Sequence, residues 1–339
     1  MPDYTVTTTR YESLIDQNLT TLQSYILAEE TEHGGTGDFS WILSGISLAG
    51  RAIANKVRRA RIDDVVGSIN KENVHGETQQ KLDIIANEYI MRCLGERADI
   101  GVLASEEGET PTIIRTEDEG GKYCVLFDPL DGSSNIDVSV GVGTIFSILR
   151  NDKKEWHDPE ELILQPGTRQ VAAGYILYGS SVIFVLTTGH GVDMFVLDNS
   201  LGTFVQVASK IVMPEEKKIY SINEAYYDKF PEEYQNYLKW AHGEGYTARY
   251  IGSMVADVHR TLLKGGVFIY PPTGVHRKGK LRLMYEANPM GFIMEQAGGL
   301  ACADTTRIME IEPEALHQRC SVIMGSKIEV ENVLKFLKD

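Results

Sequence analysis

The sequence predicts a mixed α/β protein, on three observations. Between residues 99 and 198 strand signals follow closely on one another, "DIGVLAS", "KYCVLF", "VGTIFSIL", "VAAGYILY", "SVIFVLT" and "VDMFVL", with glycine punctuation, so a large sheet is implied. Before them, apolar residues recur at the three-to-four spacing of one helical face. After about residue 200, strands and helices mix. At 339 residues the chain has room for two domains of the usual ~100–200 residues, and the change of pattern sets expected units at 1–200 and 201–339.

Taken in order, the first helix is expected over "DFSWILSGISLAGRAIANKVRRARI", residues 38–62. Ile42, Ile46, Ala49, Ile53 and Val57 share its apolar face, and Asp38 is its N-cap. The stretch 63–76, "DDVVGSINKENVHG", loses that period and carries two glycines, so it reads as a mobile loop. Helix resumes at Glu77, with Leu82, Ile85, Ala86, Tyr89 and Ile90 on one face. In the second half "KIYSIN" and "VFIYP" read as strands. "SMVADVHRTLLKGG" and "KLRLMYEANPMGFIMEQAGG" read as helices, the latter with a glycine stop.

Composition excludes some functions. A net charge of −15 argues against a nucleic-acid partner, which would need clustered Lys and Arg. Cys93, Cys124, Cys302 and Cys320 lie far apart, without the paired spacing of zinc or redox sites, and read as reduced core residues. The first thirty residues carry acidic side chains and no continuous apolar block. No stretch approaches the ~18 apolar residues of a spanning helix, so no membrane association is expected and the cytoplasm is the default compartment.

Three acidic groups stand at strand ends or near a helix start. They are Glu106 and Glu107 in "SEEG", Asp128 and Asp131 in "DPLDG", and Glu77 with Asp83 in "ETQQKLD". Six carboxylates converging with no Lys or Arg to neutralise them would raise one another's pKa, a conflict that hard divalent cations resolve. Oxygen-only ligands point to Mg2+ or Mn2+. Pro129 fixes the backbone so that both aspartates face one point, and the Leu130 carbonyl could add an oxygen. Gly132, Ser133 and Ser134 follow, and their N–H groups would form an anion site if a helix or nest starts there. Cations beside a phosphate cradle describe phosphate ester hydrolysis. Asp137 reads as a turn residue.

"SEEG", "DPLDGSSNID", "ARYIGSMVADVHR" and "GKLRLMYEANPM" together resemble the motifs of class I fructose-1,6-bisphosphatases, from about residue 35 to the C-terminus. "DPLDG" with its upstream Glu-Glu is shared with the wider lithium-sensitive sugar and inositol phosphatase superfamily; the downstream motifs are specific to the bisphosphatase. The resemblance implies a sugar phosphatase fold of alternating helix and sheet layers. It also implies metal ligands at Glu106, Asp128, the Leu130 carbonyl, Asp131 and Glu286, with two or three Mg2+ (or Mn2+) per subunit.

Asp83 and Glu107 match the water-activating pair. Glu77 stands where the family has a loop aspartate for proton transfer and metal binding, and Arg282 would meet charge on the transferring phosphoryl. Asn223, Tyr226, Arg249, Tyr250 and Tyr270 match the 6-phosphate pocket, Arg249 coming from a neighbouring subunit. Lys280 would lie between sugar and phosphate, and Met254 would line the sugar. An AMP site is implied at Thr36, Gly37, Asp38, Phe39 and Ser40, with Lys122, Tyr123 and Arg150.

The implied activity is hydrolysis of the 1-phosphate of fructose 1,6-bisphosphate, as in gluconeogenesis, by an AMP-inhibited homotetramer of paired dimers. The first unit would be regulatory and the second would bind sugar. Alternatives are a sedoheptulose-1,7-bisphosphatase, an inositol-phosphate phosphatase, or a silent AMP-binding scaffold. With only Cys124 between "SEEG" and "DPLDG", a thiol switch is not expected.

Overall fold

The computed structural model describes residues 19–33, 37–72, 78–97, 99–119, 121–151 and 158–338. Its first half is built on helices α1 (Leu22–His33), α2 (Asp38–Arg58) and α3 (Lys81–Gly95), with a short antiparallel pair, β1 (Ser68–Glu72) and β2 (Thr78–Gln80), between the last two. An eight-stranded sheet follows, formed by β3 (Ile100–Ser105), β4 (Thr112–Ile113), β5 (Tyr123–Asp131), β6 (Val142–Arg150), β7 (Gln170–Tyr178), β8 (Val182–Thr187), β9 (Val192–Asp198) and β10 (Thr203–Ala208). Its order is β10-β9-β8-β7-β6-β5-β3-β4, antiparallel except where β3 lies parallel to β5.

The second half carries a six-stranded sheet. Its strands are β11 (Ile219–Ser221), β12 (Thr247–Ala248), β13 (Val267–Tyr270), β15 (Leu300–Ala303), β16 (Thr306–Arg307) and β18 (Val322–Gly325), in the order β12-β11-β13-β18-β15-β16. A separate pair joins β14 (Leu281–Arg282) to β17 (Arg319–Cys320). The larger helices of this half are α4 (Glu232–Gly243), α5 (Met254–Lys264), α6 (Asn288–Gln296) and α7 (Lys327–Lys338).

Alternation along the strands makes five layers, because successive side chains of a strand point to opposite faces. Phe146, Ile148, Ile176 and Phe184 bury one face of the large sheet against Ile42, Ile46 and Ile53 of α2 and Leu82, Ala86 and Ile90 of α3. Ile145, Ala173, Tyr175 and Val185, on the other face, pack with Val255 and Leu262 of α5, Met290 and Ile293 of α6, and Phe268 and Met324 of the small sheet. Val267, Ile269 and Ile323 turn outward from the small sheet onto Tyr237 and Leu238 of α4 and Val330 and Val333 of α7. The order is thus helix, sheet, helix, sheet, helix.

Local expectations needed correction in five places. The first helix ends at Arg58, four residues early, and its N-cap is Gly37 at φ 84°, with Asp38 already the first helical residue. The expected loop at 63–76 contains β1, whose pairing with β2 its local pattern did not advertise. The next helix starts at Lys81, not Glu77, because residues 78–80 are spent in that pairing. The strand expected to stop at Phe127 runs on to Asp131. Finally, residues 281–287 are not α-helical: Leu281–Arg282 pair as a strand and Leu283–Ala287 form one π turn before α6.

Candidate functional site

A pocket of about 490 Å³ opens where the end of β5 meets the N-terminus of α5. Asp83, Glu106, Glu107, Asp128, Leu130, Asp131, Gly132, Ser133 and Ser134 line it from the first half. Tyr250, Met254, Tyr270, Lys280, Arg282 and Glu286 line it from the second. Fifteen expected site residues, dispersed over two hundred positions, therefore share one cavity.

The turn after β5 has a specific construction. Against β6, Asp128 pairs with Ile145 and Asp131 with Gly143, so one extra residue is accommodated as a bulge. Within it, the Leu130 amide donates to Asp128 Oδ1 at 2.9 Å. Gly132 follows at φ 75°, where a Cβ would meet Ser253 Oγ at 2.9 Å, so glycine serves both the backbone angle and the close approach. A 3-10 turn then starts at Ser133.

Asp128, Asp131 and Glu286 each offer a carboxylate oxygen within 4.8 Å of the others, a set that suits a hard cation. Burial first, then Glu106, Asp131 and Glu286, holds the Asp128 carboxyl well above the usual carboxylate range, against the pull of Arg282. Burial and Glu286 push Asp131 up to about 7, opposed by the hydrogen bond from the Val255 amide at 2.8 Å. Like charges confined this closely are what a divalent cation would relieve.

One expectation fails. The carboxylates do not converge without cations, since Arg282, 5% exposed, pairs with Glu106 through Nε and Oε1 at 2.6 Å. Its own amide donates to Glu286 Oε2 at 2.5 Å, so β14 clamps two of the acids at once. Asp83 sits in the first turn of α3, accepts the Gln80 amide at 2.9 Å, and takes the Ser133 hydroxyl at 3.2 Å. That contact ties the helix to the β5 turn. Glu77 lies outside the described residues.

The remaining residues distribute as follows. Asn223 and Tyr226 line an adjoining pocket of about 220 Å³ that shares Tyr270 and Lys280 with the first. Arg249 faces neither: it lies exposed after the edge strand β12, donating to the Ala248 carbonyl at 2.7 Å. A third pocket, about 200 Å³, brings Phe39, Tyr123 and Arg150 together with Glu29, Glu30 and His190. There the Ser40 amide donates to Glu30 Oε1 at 2.9 Å, and Arg150 lies 5.9 Å from the centre of the Tyr123 ring. Lys122 is exposed and 4.0 Å from Asp99. Thr36 lies outside the described residues, as does the Asp38 side chain.

Asp257 was missed. It is 1% exposed on the first turns of α5. It accepts the amides of Ile251 and Gly252 at 2.9 Å and the Ser221 hydroxyl at 2.7 Å. It thereby shapes the loop that carries Tyr250 and Ser253 into the pocket. The only sequence signal was an acid on an otherwise apolar helical face in "SMVADVH".

Layered α/β architecture with an acidic pocket beside a glycine-serine turn defines a phosphatase of the sugar phosphatase class. Within that class the chain belongs to the fructose-1,6-bisphosphatase family, matching its N-terminal domain model over residues 20–209 and its C-terminal domain model over 213–338. It is similar to the solved fructose-1,6-bisphosphatase of Leishmania major. The holo form is 40% identical, over 95% of this chain and 100% of that one, at a TM-score of 0.90. The apo and T-state forms, each 39% identical over the same shares, superpose at 0.86 and 0.85.

Proposed function

We propose that the chain hydrolyses the 1-phosphate of D-fructose 1,6-bisphosphate, giving fructose 6-phosphate and inorganic phosphate, as a step of gluconeogenesis in the cytoplasm. The observation that carries this is the convergence of Asp128, Asp131 and Glu286 in one pocket with Gly132–Ser134 and Lys280. Two or three Mg2+ or Mn2+ ions would be held by Glu106, Asp128, the Leu130 carbonyl, Asp131 and Glu286, with Glu77 as a further carboxylate. Bound there, they would polarise the phosphoryl oxygens and favour ionisation of water.

The chain's own groups do the rest. Amides of Gly132, Ser133 and Ser134 receive the 1-phosphate, and Asp83 with Glu107 takes the proton of the attacking water. Arg282, held by Glu106 beside the acids, meets charge developing on the phosphoryl. Met254 and Lys280 line the sugar, while Asn223, Tyr226, Tyr250 and Tyr270 receive the 6-phosphate. Arg249, which faces neither pocket of its own chain, would complete that subsite in a partner subunit, making a dimer the smallest active unit within a homotetramer.

On this reading residues 1–200 form a regulatory unit and 201–339 the sugar-binding unit. AMP would inhibit by binding near Thr36, Gly37, Asp38, Phe39 and Ser40, with Lys122, Tyr123 and Arg150 supplying contacts; the pocket lined by Phe39, Tyr123 and Arg150 supports it.

Phosphate release from fructose 1,6-bisphosphate, measured with and without Mg2+, tests the central reading. Metal-dependent release is expected, at higher kcat/KM than for sedoheptulose 1,7-bisphosphate or inositol monophosphate, and its absence sinks the proposal. Inhibition by ~1 mM AMP, ample for ordinary allosteric coupling, tests the regulatory part.

A further inference from the structure

The bulge at residues 128–131 leaves a backbone carbonyl to be accounted for. Pro129 and Leu130 together face the single β6 residue Thr144, because Asp128 pairs with Ile145 and Asp131 with Gly143. The Leu130 N–H is taken by Asp128 Oδ1. The other end of the same peptide unit, Pro129 O, accepts the Thr144 hydroxyl at 2.9 Å in a buried setting. Thr144 Oγ1 is in turn 2.8 Å from Tyr178 OH at the end of β7. A carbonyl only accepts, so the Thr144 proton points at Pro129 and Tyr178 donates to Thr144. Both side chains are buried, at 2% and 4% exposure.

A peptide unit is planar and turns as one body. Fixing Pro129 O therefore fixes the Leu130 N–H, and through it the rotation of the Asp128 carboxylate that the N–H engages. We infer that Thr144 and Tyr178 are positioning residues that orient Asp128 and the Leu130 segment for the divalent cation, through the Pro129–Leu130 peptide. The inference rests on the metal-dependent reading above. Neither side chain lines the pocket, so neither touches substrate. Partners of this kind, one shell out from a ligand, typically set ~10–100-fold in metal affinity.

Thr144→Val keeps the shape and removes the hydroxyl; Tyr178→Phe removes only the second donor. Mn2+ binding to the intact chain without substrate, followed by calorimetry, is expected to weaken ~10–100-fold in Thr144→Val and less in Tyr178→Phe, with Thr144→Ser close to wild type. At saturating metal the KM for fructose 1,6-bisphosphate should stay within about twofold, a split that general loosening of the fold would not give. Wild-type Mn2+ affinity in a folded Thr144→Val overturns the inference. Should that variant fail to fold, Tyr178→Phe decides by the same measurement: weakened Mn2+ binding supports the relay and unchanged binding refutes it. A wild-type chain that binds no Mn2+ defeats the metal reading itself, a distinguishable result.

Discussion

At the scale of single residues, the acidic pocket trades stability for chemistry. Asp131 is held near 7 by burial and Glu286, against an ordinary 3.8. A carboxyl whose folded pKa is raised keeps a proton that the unfolded chain has released. Asp131's own contribution to the stability of the metal-free protein should therefore decline as pH climbs from about 4 through about 7. Asp131→Asn removes that charge. At pH 8 without metal it should denature at equal or higher urea than the parent, while kcat/KM measured with metal falls by ~10²–10³, the scale of losing a principal electrostatic group. A variant less stable than the parent would contradict this account.

Much of this chemistry was legible in "SEEG" and "DPLDG", since acids at strand ends carry their meaning locally. Asp257 was not, because its three donors are a hydroxyl 36 positions away in sequence and two backbone amides that a string of side chains does not display. The Arg282–Glu106 pair was likewise hidden, as nothing in a linear string puts residues 176 positions apart within 2.6 Å.

Secondary-structure elements were legible where they follow one period and illegible where they break it. The strands from β6 to β9 and the apolar face of α2 are close to their expected form, as each is governed by its own burial pattern. By contrast, β1 and β14 owe their conformation to partners, and the π turn at Leu283–Ala287 keeps an apolar pattern that reads as α-helix. Helix α5 shows an element serving two masters: Val255 and Leu262 anchor it between the sheets, while its first turn supplies the Val255 amide to Asp131 and Asp257 to the 250–253 loop. Asp257→Ala would strand two amides and a buried hydroxyl. It should cost ~2–4 kcal/mol in urea unfolding, since orphaned buried donors cost ~1–3 kcal/mol each before relaxation. Fructose 1,6-bisphosphate KM should rise with it, as Tyr250 loses its support.

For the whole molecule, layer packing makes one half-buried histidine a reporter of fold integrity. His259 of α5 meets Tyr175 of the large sheet, Nδ1 to OH at 2.7 Å. Burial lowers its pKa from 6.5 to about 4. The folded protein thus refuses a proton that the unfolded chain accepts, and the histidine's contribution to stability is lost as pH falls from about 6.5 toward 4, opposite in sign to that of Asp131. The ceiling is on the order of 3 kcal/mol at ~1.4 kcal/mol per pKa unit. His259→Gln should flatten that part of the unfolding free energy against pH; an unchanged slope between pH 6.5 and 4 would show that other groups set it.

The charge inventory of the main pocket has a kinetic corollary. Seven acids line it, Asp83, Glu106, Glu107, Asp128, Asp131, Asp257 and Glu286, against Lys280 and Arg282 alone among the described residues. A sugar bisphosphate carries several negative charges of its own, and low-dielectric walls focus the field it must cross. Without neutralising ions the entrance repels the molecule it is shaped to hold. Turnover should then follow a compulsory sequence, cation before sugar, with the bare protein nearly blind to its substrate.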